Sequence, residues 1–429
     1  MLKNIKIAIL GMGYVGLPLA IEYGKYFPTI GFDINKKKIN NLKKFLDENN
    51  EVSKNEIKKS KSLLFSDDLD SIYKCNFYII CVPTPIYKNN RPNLNFLKNA
   101  AKIVSKVIKN KDFVVFESTV YPGVTENIVK DIISKKSGIK LATKEDAVDG
   151  IHFGYSPERL NPGEKNRKLF QITKVVAGSS PYATKIISAV YSKVQKNNIF
   201  VANSIKVAEA AKVIENVQRD VNIALVNEFT KIFNKSNINI FDVLKTSSTK
   251  WNFHNYYPGL VGGHCIGVDP YYLSYFSKLH KVNPLMITSG RKINDEMYKL
   301  FLNEKYENIK NKNFNLKKIK LLIMGYSFKK NCADIRNTQI EKIYNSLSKK
   351  IKSIKIFDPI INTNELPVKI KRNIIKFPKK NNYDVILIAV DHDFFFNLGK
   401  KRINSFLLSE KSLVFDFNNL FNYKEYIHF

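Results

Sequence analysis

Residues 5–26 read IKIAILGMGYVGLPLAIEYGKY, and this stretch decides the fold. The apolar run Ile5 to Leu10 stops at Gly11, and Leu17 to Tyr26 continues as a helical pattern, so the segment reads strand, glycine turn, helix. In that context Gly11, Gly13 and Gly16 form G-x-G-x-x-G. The first glycine permits the tight turn, the second lets backbone approach a pyrophosphate, and the third lets helix and strand pack closely. Phosphate then rests on the helix N-terminus, with Tyr14 and Val15 inside the same turn. Asp33 ends the next strand, about where the acid that binds an adenosine ribose hydroxyl belongs. A carboxylate there favours NAD over NADP, whose 2′-phosphate it would repel. Lys36, Lys37 and Lys38 bring positive charge to the same place and keep the choice open; Lys38 is expected at the cofactor as well.

Working outward, strand candidates follow at residues 29–32, 77–82, 113–116, 152–155 and 174–177, mostly separated by polar, helix-compatible stretches. Apolar runs alternating with helices predict a parallel sheet in a doubly wound α/β domain. From 207 to 233 the pattern becomes one long helix without Gly or Pro, carrying Val213, Val217, Val221, Leu225 and Phe229 at four-residue steps. Its length suits a spine between domains or a dimer interface. After a glycine-rich loop (257–267) and another helical stretch, residues 320–324 open a second series, continued at 354–357, 385–390 and 413–415. The expected architecture is therefore two Rossmann-like doubly wound domains joined by a long central helix and a small helical domain.

Composition sets limits. A chain of 429 residues with 44% hydrophobic content supports two or three cores. Cys75, Cys81, Cys265 and Cys332 lie far apart in no metal-spaced cluster, which argues against a disulfide framework or zinc site and for a reducing, cytoplasmic setting. No stretch approaches the ~18–20 apolar residues of a membrane span. The net charge of +32 is spread along the chain rather than gathered into a basic arm, so nucleic-acid binding is not expected. An acidic small-molecule substrate would still benefit from that field.

Strand ends carry the remaining chemistry, because ligands of open parallel sheets bind at carboxyl ends. Cys81-Val82-Pro83-Thr84-Pro85 and Glu117-Ser118-Thr119-Val120-Tyr121-Pro122-Gly123 each close a strand with hydroxyls and prolines, read either as cofactor contacts or as ordinary turns. Gly262-Gly263-His264-Cys265 precedes Ile266-Gly267-Val268-Asp269-Pro270 and places one cysteine after a glycine pair, a nucleophile to which backbone and substrate can come close. In the long helix Glu209, Lys212, Asn216 and Asp220 share one stripe, either a solvated face or a cluster that stabilises an oxyanion. Arg159, in YSPERLNPG, offers a fork for a diphosphate or carboxylate. GYSFKK and Asp334-Ile335-Arg336 follow the first strand of the second series and bring cations to plausible phosphate positions.

Taken in order, GMGYVGLP, CVPTP, ESTVYPG, YSPERLNPG, AEAAKVIENVQRDVNIALVNE, YYPGLVGGHCIGVDPYYL and GYSFKKNCADIRNT resemble the UDP-glucose/GDP-mannose dehydrogenase family of nucleotide-sugar 6-dehydrogenases over nearly the whole chain. The resemblance implies an NAD domain (1–200), a central helical domain with the cysteine loop (201–305) and a C-terminal UDP-sugar domain (306–429), in a homodimer or larger homo-oligomer. It implies oxidation of a sugar C6 alcohol to a carboxylate with two NAD⁺. Carried over, Cys265 forms a thiohemiacetal and then a thioester, and Lys212 and Asn216 hold the C6 oxygen. Asp269 and Thr119 order water or relay protons, while Glu158 serves hydrolysis or substrate contact. Arg159, Leu160, Tyr257, Gly259, Gly262 and Lys329 are implied in substrate binding, and Arg336 in cofactor binding. Arg159 and Val268 depart from the UDP-glucose pattern, an aromatic and a basic residue respectively, and Val268 leaves one cofactor contact unfilled. SPERLNPG and GGHCIGVDPYYL look more like the bacterial branch acting on UDP-N-acetylglucosamine or UDP-N-acetylgalactosamine, including the enzyme of Vi-type capsule synthesis. UDP-N-acetylmannosamine and UDP-glucose 6-dehydrogenases are the alternatives. The product is expected to enter a surface polysaccharide.

Overall fold

The computed structural model describes residues 2–48, 51–142, 148–159, 171–421 and 426–427. The chain divides into two compact units: unit 1 is Met1–Glu215 with Tyr271–Val282, and unit 2 is Asn216–Pro270 with Asn283–Phe429.

Unit 1 holds one eight-stranded sheet built from β1 (Ile7–Leu10), β2 (Thr29–Phe32), β3 (Leu63–Ser66), β4 (Phe77–Ile80), β5 (Phe113–Phe116), β6 (His152–Tyr155), β7 (Lys174–Gly178) and β8 (Ile199–Val201). Their order is β3-β2-β1-β4-β5-β6-β7-β8, the doubly wound order at its first six strands. Neighbours run parallel except β6 and β7, so the expected all-parallel sheet carries one antiparallel pair. β1, β4, β5 and β6 are buried at every position, which is why they read as continuous apolar runs. β3 and β8 lie at the edges with Leu64, Phe200 and Val201 exposed; their apolar runs, residues 63–65 and 199–202, are short and are not among the expected strands.

Register decides where the motifs land. Leu10 pairs with Phe32 and with Ile80, Ile80 with Phe116, and Phe116 with Tyr155. The next residues, Gly11, Asp33, Cys81, Glu117 and Ser156, therefore leave the sheet side by side at its carboxyl edge. The helix Gly16–Tyr23 packs back on this sheet through Leu17, Leu19, Ala20 and Tyr23.

Unit 2 repeats the scheme on a smaller scale: β9 (Lys320–Met324), β10 (Ser353–Phe357), β11 (Val385–Ile388) and β12 (Leu413–Asp416) form a parallel sheet in the order β10-β9-β11-β12. One face packs on Met297, Phe301 and Ile340, the other on Phe395, Ile403 and Phe406.

The long helix spans Ile205–Lys235, two residues beyond the expected limits at each end, and carries the chain from unit 1 into unit 2. Its four-residue apolar row does not stay buried: Val213 and Val217 are buried, whereas Leu225 and Phe229 are exposed. Four residues turn a helix by about 400°, so such a row drifts around the axis by ~40° per step. The polar residues take the inside instead. Glu209, Lys212, Asn216, Asp220, Asn227 and Thr230 are all buried, while Val207, Ile214 and Ile232 are exposed. This corrects the solvated-face alternative. Among the described residues no helix is long and apolar enough to cross a membrane.

Candidate active site

At the dinucleotide turn each glycine has its own reason. Gly11 has φ +98°, and a Cβ there would lie 2.9 Å from the Cys81 carbonyl oxygen. A Cβ on Gly16 would lie 1.9 Å from the Gly11 oxygen, so only glycine allows this helix and turn to approach. A Cβ on Gly13 would meet nothing within 4 Å, which leaves its backbone open to a pyrophosphate. Tyr14 and Val15 are half-buried beside it. Asp33 accepts from the Met12 amide (Oδ2, 2.9 Å) and the Asn35 amide (Oδ1, 2.9 Å), and Lys38 Nζ stands 3.4 Å from Oδ2. These residues fit NAD: open backbone for the phosphates and a partly accessible carboxylate for a ribose hydroxyl.

The two hydroxyl loops are tied to each other. Ser118 Oγ donates to the Val82 carbonyl (2.6 Å), so Ser118 holds the Val82-Pro83-Thr84 turn in place, and Thr119 stands half-buried next to it. Tyr272 Oη donates to the Thr84 and Pro85 carbonyls (2.9 and 3.1 Å) from the helix Asp269–Leu279. Nothing in the local sequence marks that long-range bond.

Two residues before Thr119, Glu117 belongs to a buried charge cluster. Lys174 Nζ reaches Glu117 Oε2 at 2.7 Å and Glu158 Oε2 at 3.1 Å, and Tyr191 Oη donates to Glu117 Oε1 at 2.6 Å. Burial raises the Glu117 pKa to about 7, the nearby Lys174 ammonium opposing that shift. One ammonium thus serves two carboxylates out of water. Arg159 does not share the cluster: its guanidinium pairs with Glu215 (2.6 Å) and donates to the Thr173 carbonyl (3.2 Å), and its amide donates to Glu158 Oε1 (2.7 Å). Leu160 lies outside the described residues. Sequence reasoning missed Lys174 because one lysine leading an apolar strand reads as a surface residue.

The inward polar stripe of the long helix also finds its work. Glu209 accepts from the Gly123 and Thr125 amides (2.5 and 2.9 Å) and so fixes the loop after β5. Burial raises its pKa to about 7. One turn on, Lys212 is 8% exposed and has no hydrogen-bond or ion-pair partner among the described residues. A lysine so largely enclosed and unpaired within the described residues can offer its ammonium to an anionic ligand atom.

In unit 2, Asn216 Nδ2 donates to Asp269 Oδ2 (2.5 Å), and the Asp269 and Val268 amides donate to the Cys265 carbonyl (2.8 and 3.0 Å). Asn216 and Asp269 thus meet through their side chains, and the Asp269 backbone closes the turn that begins at Cys265. Cys265 is half-buried, whereas Cys75, Cys81 and Cys332 are buried, and burial pushes the Cys75 thiol up to about 11. Asn227 clasps Gly259 through both its amide and carbonyl (2.9 and 3.0 Å), while Tyr257 is exposed. Gly262 and Gly263 have a packing reason of their own. The space beside them is filled by Phe328 and Asn337, and a Cβ on Gly263 (φ +79°) would lie 2.7 Å from the Phe328 ring. The glycines serve that packing. Lys329 is half-buried with Nζ 5.6 Å from the Phe328 ring centre, and Arg336 is paired with Asp334.

Comparison with known proteins agrees along the chain. The NAD binding, central and UDP binding domains of the UDP-glucose/GDP-mannose dehydrogenase family match residues 5–195, 206–296 and 322–423. Proteins named UDP-N-acetyl-D-glucosamine 6-dehydrogenase from Salmonella typhi and Pseudomonas aeruginosa are 43% and 41% identical, each match covering 94% of both chains. The solved UDP-D-ManNAc dehydrogenase of Pyrococcus horikoshii superposes with a TM-score of 0.85 at 25% identity, covering 99% of this chain and 98% of that one. Fold and dinucleotide turn define the class, an NAD-dependent oxidoreductase. Within that class, the chain belongs to the UDP-glucose/GDP-mannose dehydrogenase family.

Proposed function

We propose that the protein oxidises the C6 hydroxyl of a UDP-N-acetylhexosamine to the uronic acid, a four-electron reaction with Cys265 as nucleophile, supplying surface polysaccharide synthesis. The observation that carries this reading is the grouping of the half-buried Cys265 with Asp269 and Asn216, a set that a simple alcohol dehydrogenase would not need. Bound NAD supplies the hydride acceptor, and two equivalents are required per sugar. Cys265 Sγ captures the C6 aldehyde as a thiohemiacetal, which becomes a thioester once C6 gives up the second hydride and its hydroxyl releases a proton to solvent. Lys212 and Asn216 hold the C6 oxygen, and Asp269 and Thr119 order the water. Glu158 serves hydrolysis or substrate contact; Lys329 binds substrate and Arg336 cofactor. Covalent capture keeps the aldehyde from escaping between oxidations.

Full-length likeness to proteins named for UDP-N-acetylglucosamine supports that sugar first, with the C4 epimer second. The fold likeness to a UDP-D-ManNAc dehydrogenase gives the rival reading. Offering purified enzyme UDP-N-acetylglucosamine, UDP-N-acetylgalactosamine, UDP-N-acetylmannosamine and UDP-glucose separates them. We expect two NADH per sugar, fastest with the first. Dominant turnover of UDP-glucose or the mannosamine sugar sinks the substrate assignment, and one NADH with free aldehyde sinks the thioester.

A further inference from the structure

In unit 2, just before the helix Asp393–Leu398, His392 is fully buried and both of its ring nitrogens are engaged. The Asn331 amide donates to Nδ1 at 2.9 Å, so that nitrogen carries no hydrogen and the ring proton sits on Nε2. Nε2 faces Asp358 Oδ2 and Ser327 Oγ, each at 3.3 Å. Ser327 Oγ gives its own hydrogen to the Lys329 carbonyl (2.9 Å), which leaves the oxygen to accept from Nε2. One tautomer therefore satisfies every partner. What the ring holds is the loop of residues 327–331. At its end Asn331 takes φ +54°, a left-handed conformation that persists where the surroundings impose it. Three bonds impose it: the amide on His392, Nδ2 to Asp393 Oδ2 (2.6 Å), and the Asp393 amide to Oδ1 (3.1 Å). Lys330 adds an ion pair with Asp393 at 2.7 Å.

Ser327, His392 and Asp358 have the composition of a hydrolase triad but not its use. Ser327 is 0% exposed and its hydroxyl points at a carbonyl rather than at the ring, so it is no nucleophile. The loop they hold, however, meets the candidate site twice. It carries Lys329, and its Phe328 fills the space beside the glycines that precede Cys265. A Cβ on Gly262 would lie 3.1 Å from Phe328 Cβ, and one on Gly263 2.7 Å from the Phe328 ring. Asn337 Nδ2 on the Gly263 carbonyl (3.0 Å) pins the same turn. We propose that His392, as its Nε2–H tautomer, is a positioning residue for the oxidation. Through the Asn331 amide and Ser327 it fixes the loop that presents Lys329 to the substrate and Phe328 to the Cys265 turn. The proposal rests on Cys265 as nucleophile and Lys329 as substrate ligand.

Two replacements of similar shape separate the ring's two bonds. An asparagine oxygen falls near Nδ1 and a glutamine nitrogen near Nε2, so His392→Asn keeps the acceptor for Asn331 while His392→Gln keeps only the donor to Asp358. Steady-state NADH formation is measured with UDP-N-acetylglucosamine, alongside thermal unfolding. We expect kcat/KM to fall ~10–100-fold in His392→Gln, the larger part in KM. His392→Asn should lose far less, although both variants unfold at lower temperature than wild type. Equal losses of kcat/KM that simply follow the unfolding temperatures overturn the proposal. In wild type labelled with 15N-histidine, one of the six imidazoles, missing from the His392→Asn spectrum, should be protonated at Nε2 alone. Protonation at its Nδ1 overturns the tautomer and the proposal. Should neither variant fold, Ser327→Ala carries the test: losing the bond to the Lys329 carbonyl should raise KM ~3–10-fold, and a wild-type KM overturns the loop's part. Wild-type kinetics in a folded His392→Gln, with Cys265→Ser inactive and Lys329→Met raised in KM, overturn the role of His392 alone. Full NADH formation by Cys265→Ser, or an unchanged KM in Lys329→Met, overturns the site reading on which the proposal stands.

Discussion

The two sheets open with the same device and use it oppositely. Gly11 after β1 and Gly325 after β9 both take positive φ (+98° and +93°) and both press against the strand on the far side, Cys81 in one case and Val390 in the other. In each unit an aspartate at the end of the second strand accepts from the amide after that glycine: Met12 to Asp33 (2.9 Å) and Tyr326 to Asp358 (2.7 Å). There the likeness stops. Asp358 also takes the Ser327, Ile360 and Ile361 amides (3.0, 2.9 and 3.3 Å) and faces His392 Nε2 at 3.3 Å, and its side chain is 0% exposed. The Asp33 side chain keeps 11% of its surface, and the open backbone at Gly13 lies close by in the same turn. One turn is left open for a ligand; the other is closed on itself. The feature that reads as a cofactor site becomes one only where the carboxylate is not fully consumed by its own chain.

That contrast is breakable by mutation. Asp358→Ala leaves several buried N–H groups unsatisfied, each costing about 1–3 kcal/mol, so we expect a total loss of roughly 3 kcal/mol or more in denaturant unfolding, with NAD affinity of the folded fraction unchanged. Wild-type stability would show the clamp to be dispensable. Asp33→Ala should do the reverse. A hydrogen bond to a charged group contributes about 1.5–3 kcal/mol, so NAD binding by titration should weaken ~10–100-fold with a much smaller change in stability. Equal loss of stability in both variants would erase the distinction between open and closed turns.

Legibility in the sequence follows the same line. β1, the glycine turn and the central strands are readable because burial on both faces leaves unbroken apolar runs, and because Gly11 and Gly16 answer a local steric demand. The edge strands β3 and β8 are half-exposed, and their short apolar runs, residues 63–65 and 199–202, stand out less from the helices around them. Cys265, Asp269 and Asn216 are within reach of motif reading, but Lys174, Glu117, Tyr272 and Asp334 work through partners far away in the chain, which periodicity does not report. The long helix misleads for a related reason: its polar stripe is indistinguishable from a solvated face until the loop amides that Glu209 satisfies are placed against it.

The most gradual expected effect is in pH dependence, and the two units should differ in sign. Burial holds the Glu117 pKa at about 7, above its ordinary carboxylate value, so the folded state binds the extra proton. Stability from this group is greatest at acid pH and declines as pH rises from the unfolded value of about 4.3 towards 7. Asp358 runs the other way. Burial alone would raise its pKa, but the bonds from His392 and the backbone amides hold the carboxyl below its ordinary range. Its contribution is present above about pH 3.9 and is lost as pH falls through its folded value. Unfolding curves between about pH 4.5 and 7.5 should therefore show Glu117→Gln, whatever its absolute stability, gaining on wild type by up to about 3 kcal/mol as pH rises. Asp358→Asn should keep a constant offset over that window and approach wild type only in stronger acid. A Glu117→Gln offset that stays flat would mean that Lys174 keeps Glu117 ionised throughout, and the buried cluster around it would then be a plain salt bridge rather than a group poised to take up a proton.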